Sequence, residues 1–148
     1  MRLAELTRGI VAPAVGADPE VVGITADSRK VEAGWLFAAL PGTKVDGAGY
    51  AAQAVAKGAV AILAGATTEL GDIGVPVLRA DEPRRALALL AARFFGAQPA
   101  AIVAVTGTSG KTSVAAFVRQ IWAGLGLRAA SIGTIGIVKP DGATYGSL

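Results

Sequence analysis

Neither cysteine nor histidine occurs anywhere in the 148 residues. Without cysteine there is no disulfide framework and no thiolate zinc site. Without histidine, imidazole zinc sites and histidine-dependent nucleophilic triads are excluded within the chain. Aromatic residues make up only 5% of the sequence, so no stacking platform for single-stranded nucleic acid is visible. Every apolar run is interrupted by Gly, Pro or a charge before it reaches the roughly 18 residues that a membrane span requires. The amino terminus, Met1-Arg2-Leu3-Ala4-Glu5, carries an acidic residue early, and its one apolar segment is broken by Pro13. It does not resemble a secretory signal. The expectation is a cytoplasmic monomer with no membrane insertion and no nucleic-acid partner.

Hydrophobic residues make up 53% of the chain, enough for a buried core, and much of that share is alanine, which favours helices packed closely on sheets. The formal charge of +3 comes from Lys and Arg scattered singly, a pattern that suits mild attraction for a phosphorylated small molecule. A short helix is expected over residues 1–9. From residue 21 onward strand and helix signals alternate, with strands over 22–25, 35–40, 59–63 and 75–78 and a helix over 48–57. Asp81 reads as the cap of a further helix, with Pro83 in its first turn, Leu87, Leu90, Ala91 and Phe94 at helical spacing, and Gly96 as its stop. Trp35, Phe37, Phe94 and Phe95 read as core. Arg84 and Arg85 read as a solvated helix face. Gln98-Pro99 is the best linker, dividing a domain over 1–97 from one over 98–148.

After the linker a strand is expected over residues 101–105, then a glycine-spaced loop, a helix over 112–124 and a strand over 128–132. Alternation of this kind argues for parallel α/β layers on both sides of the linker. The loop reads Val105-Thr106-Gly107-Thr108-Ser109-Gly110-Lys111-Thr112-Ser113. Backbone N–H groups converging at a helix start hold phosphate oxygens, and the helix dipole adds to the attraction. Gly107 and Gly110 allow the backbone to come close, Lys111 can reach the β- and γ-phosphates, and the Thr112 hydroxyl is placed for Mg²⁺. The common pattern G-x-x-x-x-G-K-[ST] has glycine where this chain has Val105. Its first glycine comes two residues later.

That shortened loop, T-G-T-x-G-K-T-S, resembles the Mur ligase family, ATP-dependent enzymes that add amino acids to the peptidoglycan precursor. Alone, it would also resemble folylpolyglutamate and cyanophycin synthetases. The run Thr25-Ala26-Asp27-Ser28-Arg29, followed by Gly34-Trp35-Leu36-Phe37-Ala38-Ala39-Leu40-Pro41-Gly42 and Asp46-Gly47, is similar to the uridine-nucleotide domain shared by the third and fourth peptide ligases of that family. Two features resemble the third, or MurE, type. The loop reads G-T-S-G-K-T-S rather than G-S-S-G-K-T, and Ile132-Gly133-Thr134-Ile135-Gly136 is similar to a G-T-x-G segment of that type.

The resemblance implies an α/β fold: a small Rossmann-like three-layer amino-terminal domain followed by the first β–P-loop–α–β part of a P-loop ATP-binding domain. Carried over by position, it implies that Ala26, Ser28, Thr43, Lys44 and Val45 contact the substrate UDP-N-acetylmuramoyl-L-alanyl-D-glutamate, while Asp27 and Arg29 hold the loop in shape. Gly107, Thr108, Ser109, Gly110, Lys111, Thr112 and Ser113 would bind ATP, with Lys111 as the catalytic cation and Thr112 on Mg²⁺.

The implied reaction activates the D-glutamyl carboxylate as an acyl phosphate, which the amine of meso-diaminopimelate or L-lysine displaces. Because the family places further metal ligands and the amino-acid-binding domain beyond position 148, these residues alone are expected to form no product. Three alternatives remain open: the D-alanyl-D-alanine-adding ligase of the same family, a P-loop kinase acting on a small anion, and a free-standing nucleotide-binding module. Phosphoryl transfer to a small acceptor without dependence on a uridine nucleotide would select the kinase.

Overall fold

The structure, a computed structural model, describes residues 1–12, 16–42 and 47–146. The chain divides into two compact units, Met1–Gln98 and Pro99–Leu148. In the first unit, β1 (Gly23–Thr25), β2 (Trp35–Ala39), β3 (Ala61–Gly65) and β4 (Val77–Ala80) form one parallel sheet in that order. Helix α2 (Ala51–Ala56) covers one face, and α1 (Leu3–Thr7) with α3 (Pro83–Phe95) covers the other.

The pleat of β2 shows how this sequence makes three layers. Leu36 and Ala38 pack with Leu3, Leu6, Leu63, Leu78 and Leu90, whereas Phe37 and Ala39 pack with Val31, Ala54 and Ile62. Successive side chains alternate between faces, and because both faces are covered the strand reads as a continuous apolar run rather than an alternating one. The expected three-layer α/β class is what this unit has. Among the described residues no helix is long and apolar enough to cross a membrane.

Five residues are too few for a helix to stand alone, and α1 is held at both ends by side chains from elsewhere. Asp18 Oδ1 accepts from the Ala4 N–H at 2.8 Å. At the other end Arg93 Nη1 donates to the carbonyls of Glu5, Leu6 and Arg8 at 3.3, 3.0 and 2.6 Å. These are the groups a helix end leaves without intrahelical partners.

Several boundaries differ from expectation for identifiable reasons. Strand β4 begins after Pro76, which has no N–H to give a ladder, and it runs to Ala80 rather than residue 78. Strand β3 starts at Ala61, two residues later than expected; the Ala59 N–H turns back to the Ala54 carbonyl of α2 at 3.0 Å. Asp81 does not cap α3. Pro83 is the first helical residue, so the non-helical position falls on Glu82, at φ −115° and ψ 77° with no capping side-chain bond. Residues 47–50 form a 3-10 turn, and α2 begins only at Ala51. Phe37 is buried, but Phe95, the last residue of α3, is 68% exposed and meets Phe94 edge to face.

The second unit carries α4 (Lys111–Gly124) and then β5 (Ser131–Gly133), β6 (Gly136–Val138) and β7 (Thr144–Tyr145). This three-stranded sheet is antiparallel, correcting the expectation of parallel layers on both sides of the linker. Residues 101–105 are not a strand: a strand exists through its ladder partners, none pairs here among the described residues, and Ile102 is 74% exposed. Val114, Phe117 and Ile121 form an exposed apolar line along α4.

Leu63, central in the first sheet and fully buried, is the clearest probe of that core. Leu63→Ala is expected to lower stability by about 2–5 kcal/mol, measured as a fall in the urea midpoint with an unchanged denaturant slope.

Candidate functional site

The residues following β1 form a tight turn at the carboxyl edge of the sheet. The Asp27 N–H donates to Thr25 Oγ1 at 3.0 Å. Asp27 Oδ1 accepts from the Arg29 N–H at 3.0 Å and caps a 3-10 turn over Ser28–Lys30. The Arg29 guanidinium then closes on the same carboxylate as a fork, Nε to Oδ1 at 2.9 Å and Nη2 to Oδ2 at 2.8 Å. These bonds hold the Asp27 carboxyl down at about 2 and raise the Arg29 guanidinium above its ordinary range. From α2's carboxyl end, Lys57 Nζ donates to the Ser28 and Arg29 carbonyls at 2.9 and 3.3 Å. The turn is pinned from both sides.

A concavity of about 920 Å³ opens at this edge, within the roughly 300–1,000 Å³ common for small-molecule sites. Ala26 and Ser28 line it together, as do Phe37, Tyr50, Gln53 and Arg84. Thr43, Lys44 and Val45, the other substrate residues expected from the sequence, lie outside the described residues. Sequence reasoning missed Tyr50, Gln53 and Arg84 as lining residues. The first two both line the cavity from the segment that runs from the 3-10 turn into α2, three positions apart, a signal that could have been read. Arg84 reaches the site from α3, where its Nη2 donates to the Pro41 carbonyl at 2.7 Å.

The glycine-spaced loop of the second unit ends at the start of α4. Gly107 has φ +145° and Gly110, the helix N-cap, has φ +77°. A Cβ on Gly110 would meet nothing within 4 Å, so the requirement for glycine is one of backbone conformation rather than space. Lys111, Thr112 and Ser113 occupy the first helical turn, where N–H groups lack intrahelical acceptors and the dipole is positive. The Lys111 ammonium folds back on the loop, donating to the Gly107 carbonyl and, at 3.5 Å, to that of Thr108. The Thr112 hydroxyl lies 3.2 Å from the Thr134 hydroxyl in the β5–β6 turn. Thr134 was not among the expected site residues.

A family model described as Mur ligase family, catalytic domain, matches residues 20–95, about half of the chain. The chain belongs to the Mur ligase family. Within that family it is 57% identical over 138 residues to the UDP-N-acetylmuramoyl-L-alanyl-D-glutamate–2,6-diaminopimelate ligase of Brucella melitensis biotype 1, covering 93% of this chain and 28% of that ligase. A solved structure of a ligase of the same name superposes with a TM-score of 0.75 at 27% identity, over 97% of this chain and 30% of the other. A solved Mur ligase of another type, MurF from Thermotoga maritima in complex with ADP, gives a TM-score of 0.52 at 29% identity, over 68% of this chain and 23% of the other. This family member therefore spans under a third of the length of the Brucella ligase.

A depressed carboxyl contributes to the fold above its ordinary range and loses that contribution as pH falls through its folded value. For Asp27 the window runs from 3.8 down to about 2. Carbon-13 NMR of the side-chain carboxyl is expected to titrate near the lower limit, with the Arg29 Nε–H resonance changing in step. A midpoint at 3.8 or above would contradict the fork.

Proposed function

We propose that this chain carries the nucleotide-substrate site and the ATP phosphate loop of an ATP-dependent amide ligase that joins meso-diaminopimelate to UDP-N-acetylmuramoyl-L-alanyl-D-glutamate in peptidoglycan precursor synthesis, in the cytoplasm. The observation that carries this reading is the cavity built on the Asp27-Ser28-Arg29 turn, in a chain so similar to a ligase of that name. The first unit takes the uridine end of the muramoyl nucleotide, with Ser28 and the Ala26 backbone as its polar contacts. The second unit takes ATP, a substrate here, on the backbone N–H groups of residues 107–113.

Forming an acyl phosphate brings a carboxylate against a polyphosphate, so the protein must neutralise charge and hold the two in line. Lys111 does the first by leaving the Gly107 and Thr108 carbonyls for the β- and γ-phosphate oxygens. Gly107 and Gly110 do the second by letting the loop close around the phosphates. The donor set also fits Mg²⁺. That ion takes oxygen ligands, commonly one or two from protein and the rest from phosphate and water, and Thr112 supplies one hydroxyl at the helix start. No cluster of three His, Cys, Asp or Glu competes for it among the described residues. When bound, Mg²⁺ would offset charge on the phosphate oxygens.

Titration calorimetry tests the substrate assignment. UDP-N-acetylmuramoyl-L-alanyl-D-glutamate is expected to bind, UDP alone to bind more weakly, and Ser28→Ala to weaken both by about tenfold, the value of one hydrogen bond. If neither ligand binds and Ser28→Ala changes nothing, the assignment fails.

A further inference from the structure

The two arginines that open α3 differ in a way their sequence does not reveal. Arg85 has an acidic neighbour, with Nη1 3.9 Å from Glu82 Oε2. Arg84 has no ion-pair partner among the described residues, and its one hydrogen bond runs to the Pro41 carbonyl at 2.7 Å. Pro41 belongs to the wall of the 920 Å³ cavity, as does Arg84 itself. The bond therefore fixes the guanidinium at the cavity wall instead of letting a long side chain sample bulk water. A guanidinium presents several donors in one rigid plane and suits phosphate oxygens. A single carbonyl leaves most of those donors without a partner.

The charges around the cavity point the same way. Its described lining holds three cations, Arg29, Lys30 and Arg84, against one carboxylate, Asp27. Asp27 is already closed on Arg29 at 2.8 and 2.9 Å. Lys57, outside the lining, donates to the Ser28 and Arg29 carbonyls. Lys30 and Arg84 form no ion pair among the described residues, and they stand beside a cavity whose other walls include Phe37, Leu40 and Tyr50. Such a cavity suits a ligand with a flat, partly apolar end and an anionic end.

We infer that Arg84 is a specificity-determining residue of this site, receiving the phosphate groups of the nucleotide so that the cavity selects a nucleoside diphosphate over the bare nucleoside. This rests on the reading of the cavity as a uridine-nucleotide site. Arg84 does so while strapped to Pro41, which ties α3 to the end of β2. The phosphate contact and the strap are separable, because the strap would serve any ligand equally whereas the charge serves only an anion.

Calorimetric titration of the chain with UDP and with uridine distinguishes these roles. The unsubstituted chain is expected to bind UDP at least tenfold more tightly than uridine, with an affinity that falls as salt rises. Arg84→Ala should weaken UDP by about 10- to 100-fold, as loss of a hydrogen bond to a charged group does, and leave uridine within about twofold. Arg84→Gln removes the charge and retains a shorter amide donor. It should show the same split, and it provides the test if the alanine variant does not fold by circular dichroism. Equal loss of UDP and uridine in the glutamine variant would reduce Arg84 to a strap and overturn the inference, as would unchanged UDP affinity. Both results leave the uridine site standing. Absence of binding to either ligand by the unsubstituted chain would overturn the site and the inference together.

Discussion

All four strands of the first sheet run parallel, so their carboxyl ends share one edge. In such sheets the loops leaving that edge are where ligands bind. The turn after β1 brings Ala26, Asp27 and Ser28 there, the end of β2 brings Pro41, and the turn after β4 starts α3 and brings Arg84. Contacts distant in sequence then become short: Arg84 meets a carbonyl 43 positions earlier, and Lys57 one 29 positions earlier. The apolar pleat that places Leu36 on one face and Phe37 on the other secures that edge, because a one-residue slip would exchange the two cores.

Much of this was legible wherever the physics is local. An Asp side chain bonds the backbone two residues on, and Asp27 does so with Arg29. The loop between Gly107 and Gly110 announced itself by spacing, and its backbone angles demand glycine. Gly96 ends α3 as its position implied. The cavity's far wall was not legible, because nothing near Arg84 in sequence shows that it reaches Pro41. Residues 101–105 carry the composition of a buried strand, yet composition sets only the tendency, and pairing depends on partners that no local pattern reveals. The β5–β6 hairpin was no more legible: its connection, Thr134-Ile135, lacks the Asn-Gly, Asp-Gly or leading Gly that marks a two-residue hairpin turn.

The two candidate sites handle charge differently. The first engages its acid, Asp27, in a fork with Arg29, while Lys30 and Arg84 form no ion pair among the described residues. In the second, Lys111 sits on carbonyls of its own loop, and a phosphate in their place would make a stronger, charge-assisted bond. Thr112 likewise shares its hydroxyl with Thr134. The first arrangement suits recognition, which needs a fixed shape. The second suits chemistry, in which a charge must be delivered to a group that arrives.

The most direct measurement is amide shift mapping by NMR, with UDP-N-acetylmuramoyl-L-alanyl-D-glutamate and with Mg²⁺–ATP added separately to the labelled chain. The muramoyl nucleotide should move Ala26 to Lys30 and the amino end of α3 while leaving residues 107–113 in place. Mg²⁺–ATP should move residues 107–113 and Thr134 and leave the Asp27 turn in place. Shifts of residues 107–113 by the muramoyl nucleotide, with the Asp27 turn unmoved, would contradict the division of labour between the two units.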